Sequence, residues 1–320
     1  MTGTSRRSHT PHSLYWRGQG HALPAAGGVT SSPPAPVDEE ASVVETTEPV
    51  GPVGPVEPVE PVEDRDALLA SAMASVPVAD GAEVSVAVFD TASGESASHG
   101  TDLYDTASIV KVDILAVLLL QAQDAGRALT AAEKAYAVAM IESSDNDSAS
   151  ALWRAIGAAD GLDAGNERFG LTRTRGGDGP LWGLTQTTAA DQVALLRQVF
   201  VADGSELSEA SRAYVRGLMG RIADGQRWGV SAAADDTGDS AWALKNGWLR
   251  RSTTGLWVAD SIGRVTAGGR DRLVAVVSRG SATRAEGIAL TEAAARAAVA
   301  VFSGAVPSGE DGAASGQKSS

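Results

Sequence analysis

Apolar and polar positions change period twice along the chain. "DALLASAMASV" has the spacing of a helix, and "VSVAVFDTASG" alternates as a strand running into a turn, with "ESASHG" as the return arm of a hairpin. Helical spacing then holds over 107–125, 130–142, 146–157, 187–202 and 207–222, with little strand signal between them. Alternation returns in "AWALKNGW", "GLWVADSIGRV" and "DRLVAVVSRG", and the pattern closes on an amphipathic helix, "RAEGIALTEAAARAAVAVF". Strands distant in sequence that share one sheet predict an α/β sandwich with an inserted helical lobe. The sheet lobe is expected over about 65–103 and 226–303, and the helical lobe over about 104–225. A site is expected in the cleft between them.

Outside this body the pattern fails. Residues 1–64, with "SSPPAPVDEE" and "GPVGPVEPVEPVE", and the closing stretch 304–320 are rich in Pro, Gly and polar residues. They are expected to be disordered tails, because they cannot bury enough apolar surface to offset ordering entropy. Much of the net charge of −14 over 320 residues is local. Residues 38–64 carry acids and no Lys or Arg, which reads as a solvated segment. The acidic balance argues against nucleic acid or anionic membranes as partners. The apolar run Ile114–Leu120 is too short to span a bilayer. No signal peptide is visible in the sequence, which as written points to the cytoplasm and leaves an extracytoplasmic place as the alternative. A monomer acting on a small molecule is expected.

The absence of cysteine excludes disulfides, thiolate metal sites and cysteine nucleophiles from this sequence. Of the four histidines only His99 falls in the body, which argues against a Ser-His-Asp triad and a multi-histidine zinc site. No metal or cofactor is expected.

The lysines are more informative. There are four, Lys111, Lys134, Lys245 and Lys318, in a chain that otherwise uses arginine. A side chain that must lose its proton cannot be arginine. In "TASIVKVDI", Ser108 and Lys111 stand three positions apart near a helix start and share a face. Serine needs a neighbouring base, and a buried amine can be neutral near pH 7. An N-capping serine with a snorkelling lysine would give the same letters. Ser144-Asp145-Asn146 falls in a break between helical patterns, where it reads either as helix capping or as a hydroxyl and an amide offered to a substrate. In "ALKNGWLR", Lys245 and Gly247 share one strand face, so Lys245 reads as an anion anchor or an edge-strand lysine. The glycine there allows close approach of a ligand or another backbone.

The order Ser108-Ile109-Val110-Lys111, Ser144-Asp145-Asn146, Lys245-Asn246-Gly247 resembles the motif set of class A β-lactamases and penicillin-binding proteins. The resemblance covers about 65–303, and "WGLTQTTAADQVALLRQV" is similar to the Thr-Thr helix start of class A enzymes. It implies an α/β (α+β) fold, a three-layer sandwich with an antiparallel sheet of about five strands flanked by helices and an inserted all-helical lobe. It implies catalytic roles for four residues: Ser108 as acylated nucleophile, Lys111 as base, Ser144 as proton shuttle and Lys245 as carboxylate anchor. It implies substrate contacts from Asn146, Asn246, Gly247 and Trp248, with the N–H groups of Ser108 and Trp248 as oxyanion hole. Three features depart from the pattern. Asn246 replaces the usual Ser or Thr, and only 36 positions separate Ser108 from Ser144. "TRTRGGDGPLWGLTQTT" contains no glutamate where class A enzymes carry their deacylating base. Asp178 is the only carboxylate in that loop and reads most simply as a turn residue, while Glu167 reads as solvated. The expectation is a serine hydrolase that acylates and then deacylates slowly. A covalent penicillin-binding sensor or scavenger and a D-Ala-D-Ala-type peptidase are the alternatives; a catalytically idle fold is disfavoured because two of the four lysines occupy motif positions.

Overall fold

The computed structural model describes residues 63–235 and 241–303. The expected tails lie almost wholly outside them. A five-stranded antiparallel sheet forms the centre, built from β1 (Glu83–Asp90), β2 (Ser96–His99), β5 (Trp242–Arg250), β6 (Trp257–Ala267) and β7 (Arg270–Arg279). Its order is β2-β1-β7-β6-β5. The first hairpin therefore adds to the last strand, Val86 opposite Val276, which joins the two ends of the body. The sandwich expected from the alternation is the architecture found.

Side-chain alternation divides the sheet into two faces. Val86, Val88, Leu244, Val274 and Val276 pack with α1 (Arg65–Met73) and α8 (Arg284–Ala300) through Leu69, Met73, Ala294 and Ala298. Ala87, Phe89, Ala243, Leu273, Ala275 and Val277 face the helical lobe. That lobe contains α2 (Val110–Asp124), α3 (Ala131–Glu142), α4 (Asn146–Ala155), α5 (Ala158–Phe169), α6 (Ala189–Phe200) and α7 (Glu209–Met219). Within α2, Val110 to Leu120 is buried without a break, so this helix is a core rod with no wet face.

Two features differ from the pattern reading. A two-residue ribbon, β3 (Tyr104–Asp105) with β4 (Gln186–Thr187), ties the segment before Ser108 to the loop before α6. Helix α5 is absent from the expected series because "AADGLDAGNERF" holds two glycines and few apolar residues. Packing explains the glycines: a Cβ at Gly165 would run into Val117 of α2, and one at Gly161 into the Ile156 carbonyl. Close helix approach overrides helix propensity here.

Candidate active site

The chain enters α2 through a 3-10 turn, Ala107–Ile109, with Ala107 at φ 44°. Left-handed backbone at a residue other than glycine costs about 1–3 kcal/mol and concentrates at functional sites. The turn leaves Ser108 partly exposed between the buried Ala107 and Ile109. Ser108 is not a helix cap, since Ile109 takes the N-cap place of α2 and makes no side-chain cap bond. Nor does Lys111 snorkel: it is fully buried.

Lys111 Nζ donates to Ser144 O at 2.7 Å, Ser144 Oγ at 3.1 Å and Asn146 Oδ1 at 2.8 Å. Ser108 Oγ is not among these acceptors, so Nζ rests on the Ser144 side of the site. Burial drives the Lys111 pKa down to about 7, with nearby Asp145 pulling it back up. The amine is therefore shared between its charged and free-base forms at neutral pH.

Ser144 lies between α3 and α4 at φ 57°, a second left-handed residue other than glycine. Asp145 next to it caps α4, accepting from Ser148 N at 2.7 Å, so the capping reading of this tripeptide is correct for its middle residue. Asn146 is solvent-exposed and uses its carbonyl oxygen on Lys111.

Lys245 approaches from β5. Its Nζ donates to Ser144 Oγ at 3.1 Å, Asn246 O at 2.8 Å and Gln226 Oε1 at 3.4 Å. Lys245 is fully buried, and its pKa falls well below the ordinary lysine value through burial and the neighbouring Lys111. Lys245 thus meets the hydroxyl that Lys111 also bonds, with Gln226 and the Asn246 carbonyl as its other acceptors.

Gly247 sits under the Ala107–Ile109 turn. A Cβ at this position would lie 2.7 Å from both Ser108 N and Thr106 O, closer than side-chain carbons come to backbone. The glycine admits a neighbouring backbone, one of the two possibilities its strand setting left open. Trp248 follows, half-buried, its ring 6.0 Å from that of Trp228 and 4.2 Å from the Arg284 guanidinium carbon.

Asn246 requires a correction. It alternates with Lys245 and Gly247 and so faces the α8 side with Leu244, away from the helical lobe. Its amide donates to Gln226 O at 2.6 Å and Trp228 O at 3.0 Å, and the residue is fully buried. No donor remains on it for a substrate carboxylate.

Asp178 is exposed in a turn closed by Leu181 N–H to Asp178 O at 3.0 Å, and Glu167 is exposed on α5. Two residues at the site were not singled out in the sequence. Gln226 accepts from Lys245 through its side chain and from Asn246 through its carbonyl. Trp182 places its ring centroid 4.9 Å from Lys111 Nζ. Among the described residues no group of three His, Cys, Asp or Glu side chains could hold a metal ion, and no helix is long and apolar enough to cross a membrane.

Known proteins share this fold. The structure of a single-residue mutant of PBP-A, described as an acyl-enzyme complex with penicillin G, superposes with a TM-score of 0.62 at 21% identity over 74% of this chain and 96% of that one. The TLA-1 extended-spectrum β-lactamase gives 0.65 at 16% identity over 75% and 100%. A class A β-lactamase from Bacteroides cellulosilyticus gives 0.63 at 14% identity over 76% and 99%. At these identities the likeness is one of fold. In sequence, the putative lipoprotein LppW of Mycobacterium tuberculosis is 28% identical over 176 residues, 53% of this chain and 55% of LppW. The LppW of Mycobacterium bovis matches to the same extent. The chain thus spans about half the length of these curated relatives. The model of the beta-lactamase enzyme family matches residues 120–302, a span holding Ser144, Asn146 and Lys245 and beginning after Ser108 and Lys111. With more than half of its length matched and the fold in agreement, the chain belongs to the beta-lactamase enzyme family.

Proposed function

We propose that the protein is a serine hydrolase of the class A β-lactamase type, acylated at Ser108 by a β-lactam or a related amide or ester, and slow to release the acyl group. The observation that carries this reading is the meeting of three motif residues at one atom: Ser144 Oγ lies 3.1 Å from both Lys111 Nζ and Lys245 Nζ.

In its free-base form Lys111 takes the Ser108 proton as Oγ attacks the carbonyl carbon. The N–H groups of Ser108 and Trp248 face the oxygen that becomes negative. When the C–N bond breaks, the leaving nitrogen takes the Ser144 proton, and Ser144 recovers one from the Lys111 ammonium that formed in the first step. Lys245 holds the other side of Ser144 Oγ. Its contact with Ser144 Oγ makes it part of the proton relay, beside the carboxylate-anchoring role that its motif implies.

Slow deacylation is supported by the company of Lys111, which is made of Ser144, Asn146 and the Trp182 ring, with no carboxylate hydrogen-bonded to it. Asp178, the one acid in the preceding loop, is exposed in its turn. The same observation favours the second reading, a covalent penicillin-binding sensor or scavenger, which differs only in acyl-enzyme lifetime. Intact-mass spectrometry after mixing with penicillin G tests both. One adduct per chain, absent in Ser108→Ala, is expected. Rapid steady-state hydrolysis with no accumulated adduct would contradict the slow step.

A further inference from the structure

Trp182 sets its ring against Lys111, beside the oxygen atoms that Nζ bonds. Three oxygens of Ser144 and Asn146 surround Nζ, and the indole ring lies 4.9 Å from it. The ring is held at its far end, where Nε1 donates to Ser150 Oγ at 3.1 Å, one turn beyond Asn146 on α4. It is held at its base by the 3-10 turn Trp182–Leu184, in which Leu184 N donates to Leu181 O at 2.8 Å and Thr185 N to Trp182 O at 3.1 Å. Gly183 lies against Ala107, the residue before the nucleophile. The indole is thus a fixed wall joined to both the relay helix and the nucleophile turn.

We infer that Trp182 is a positioning residue that sets the acyl-enzyme lifetime, by denying water a place on Lys111 beside the Ser108 ester. This rests on the acylated-serine reading above and names the element responsible for its slow step. Hydrolysis requires a water whose oxygen attacks the ester carbonyl carbon while its proton passes to a base. The C–Oγ bond then breaks, the proton returns to Ser108 Oγ and a carboxylic acid leaves. Free-base Lys111 is the nearest base, yet a water must hydrogen-bond to it to be aimed at the ester. An aromatic face beside Nζ takes up space there and offers such a water no lone pair. The same face attracts an ammonium and so favours the Lys111 form that cannot act as base.

The test follows penicillin G acylation and adduct decay by intact mass in wild type, Trp182→Phe, Trp182→Ala and Ser150→Ala, with melting temperatures recorded beside them. Trp182→Ala is expected to shorten the adduct lifetime by roughly tenfold or more while acylation changes less than about threefold. Trp182→Phe, which keeps an aromatic ring but loses the bond to Ser150, should give a lifetime between those of wild type and Trp182→Ala, with acylation within about threefold of wild type. Added hydroxylamine should accelerate adduct loss in Trp182→Ala and not in wild type, a response that a purely structural role would not produce. If Trp182→Ala fails to fold, Ser150→Ala, which frees the indole without removing it, should still shorten the lifetime measurably. An unchanged lifetime in a folded Trp182→Ala, or in Ser150→Ala when the former does not fold, overturns the inference while leaving acylation at Ser108 intact. Absence of any adduct in wild type overturns the parent reading instead.

Discussion

Lys111 and Lys245 each place Nζ 3.1 Å from the same atom, the hydroxyl oxygen of Ser144. Two ammonium groups on one buried hydroxyl repel each other and have lost most of their hydration. A serine hydroxyl offers two lone pairs and a single proton, so the arrangement suits two amines of which at least one is uncharged. That explains why neither position is arginine in a chain with so few lysines.

Lys245→Arg puts this to a test. Were Lys245 a simple cation, arginine would serve. If it works as an uncharged amine on Ser144, arginine forces a permanent second charge beside Lys111. Acylation by penicillin G, followed by rapid-quench mass spectrometry, is expected to fall by about 100-fold or more.

The pH dependence of acylation follows from Lys111, whose pKa burial lowers to about 7. On the proposed mechanism the free base is the active form, and its population grows as pH rises through that value. The acylation rate constant should climb about tenfold per pH unit on the acid side and level off above about pH 8. Lys111→Arg should lose this limb together with nearly all the rate.

Gly247→Ala is expected to damage catalysis and folding together. Its Cβ would meet backbone atoms of the nucleophile turn, Ser108 N and Thr106 O, at 2.7 Å. Backbone cannot rotate away as a side-chain end can, so the turn and any oxyanion donor on it must shift. Losing one such donor typically costs about 3 kcal/mol in the transition state. Acylation should fall by two orders of magnitude or more with a lowered melting temperature, both read on the purified variant.

Ser144 separates strain from chemistry. At φ 57° it carries a backbone penalty that glycine would not. Ser144→Gly and Ser144→Ala should both lose the relay and acylate slowly. Glycine should be the more stable of the two by about 1 kcal/mol in urea unfolding.

Asp113, fully buried on α2, gives a stability signature of its own. Desolvation lifts its pKa to about 8, against the pull of Asn166. Turned nitrogen-inward, the Asn166 amide donates to both Asp113 oxygens, at 3.1 and 2.9 Å. The folded chain therefore binds a proton here that the unfolded chain releases near pH 4, so this group's contribution to stability falls as pH rises from about 4 to about 8. Asp113→Asn should gain melting temperature over wild type at pH 8 and lose that gain near pH 4.

Legibility in the sequence followed the range of the interactions. Ser108, Lys111, Ser144 and Lys245 could be picked out because each motif is local and because an amine in place of arginine is a chemical choice visible in letters. The two halves of the sheet were readable from alternation, and the same alternation already put Asn246 on the face opposite Lys245 and Gly247. The resemblance to a Ser/Thr position led away from that. Trp182 was not readable, since its contact with Lys111 depends on how the 170–187 loop returns to the nucleophile turn. Nor was the extent of α5, where Gly165 marks close packing against α2 and Gly161 against the end of α4, and not a break.

The most direct measurement of the central claim is the mass of the intact protein over time after one addition of penicillin G, compared with Ser108→Ala and Lys111→Arg. The account predicts one adduct per chain that forms within the burst and persists long after free penicillin is removed, with none on either variant. An adduct formed at the wild-type rate on Lys111→Arg would contradict it, because an arginine cannot accept the proton of Ser108.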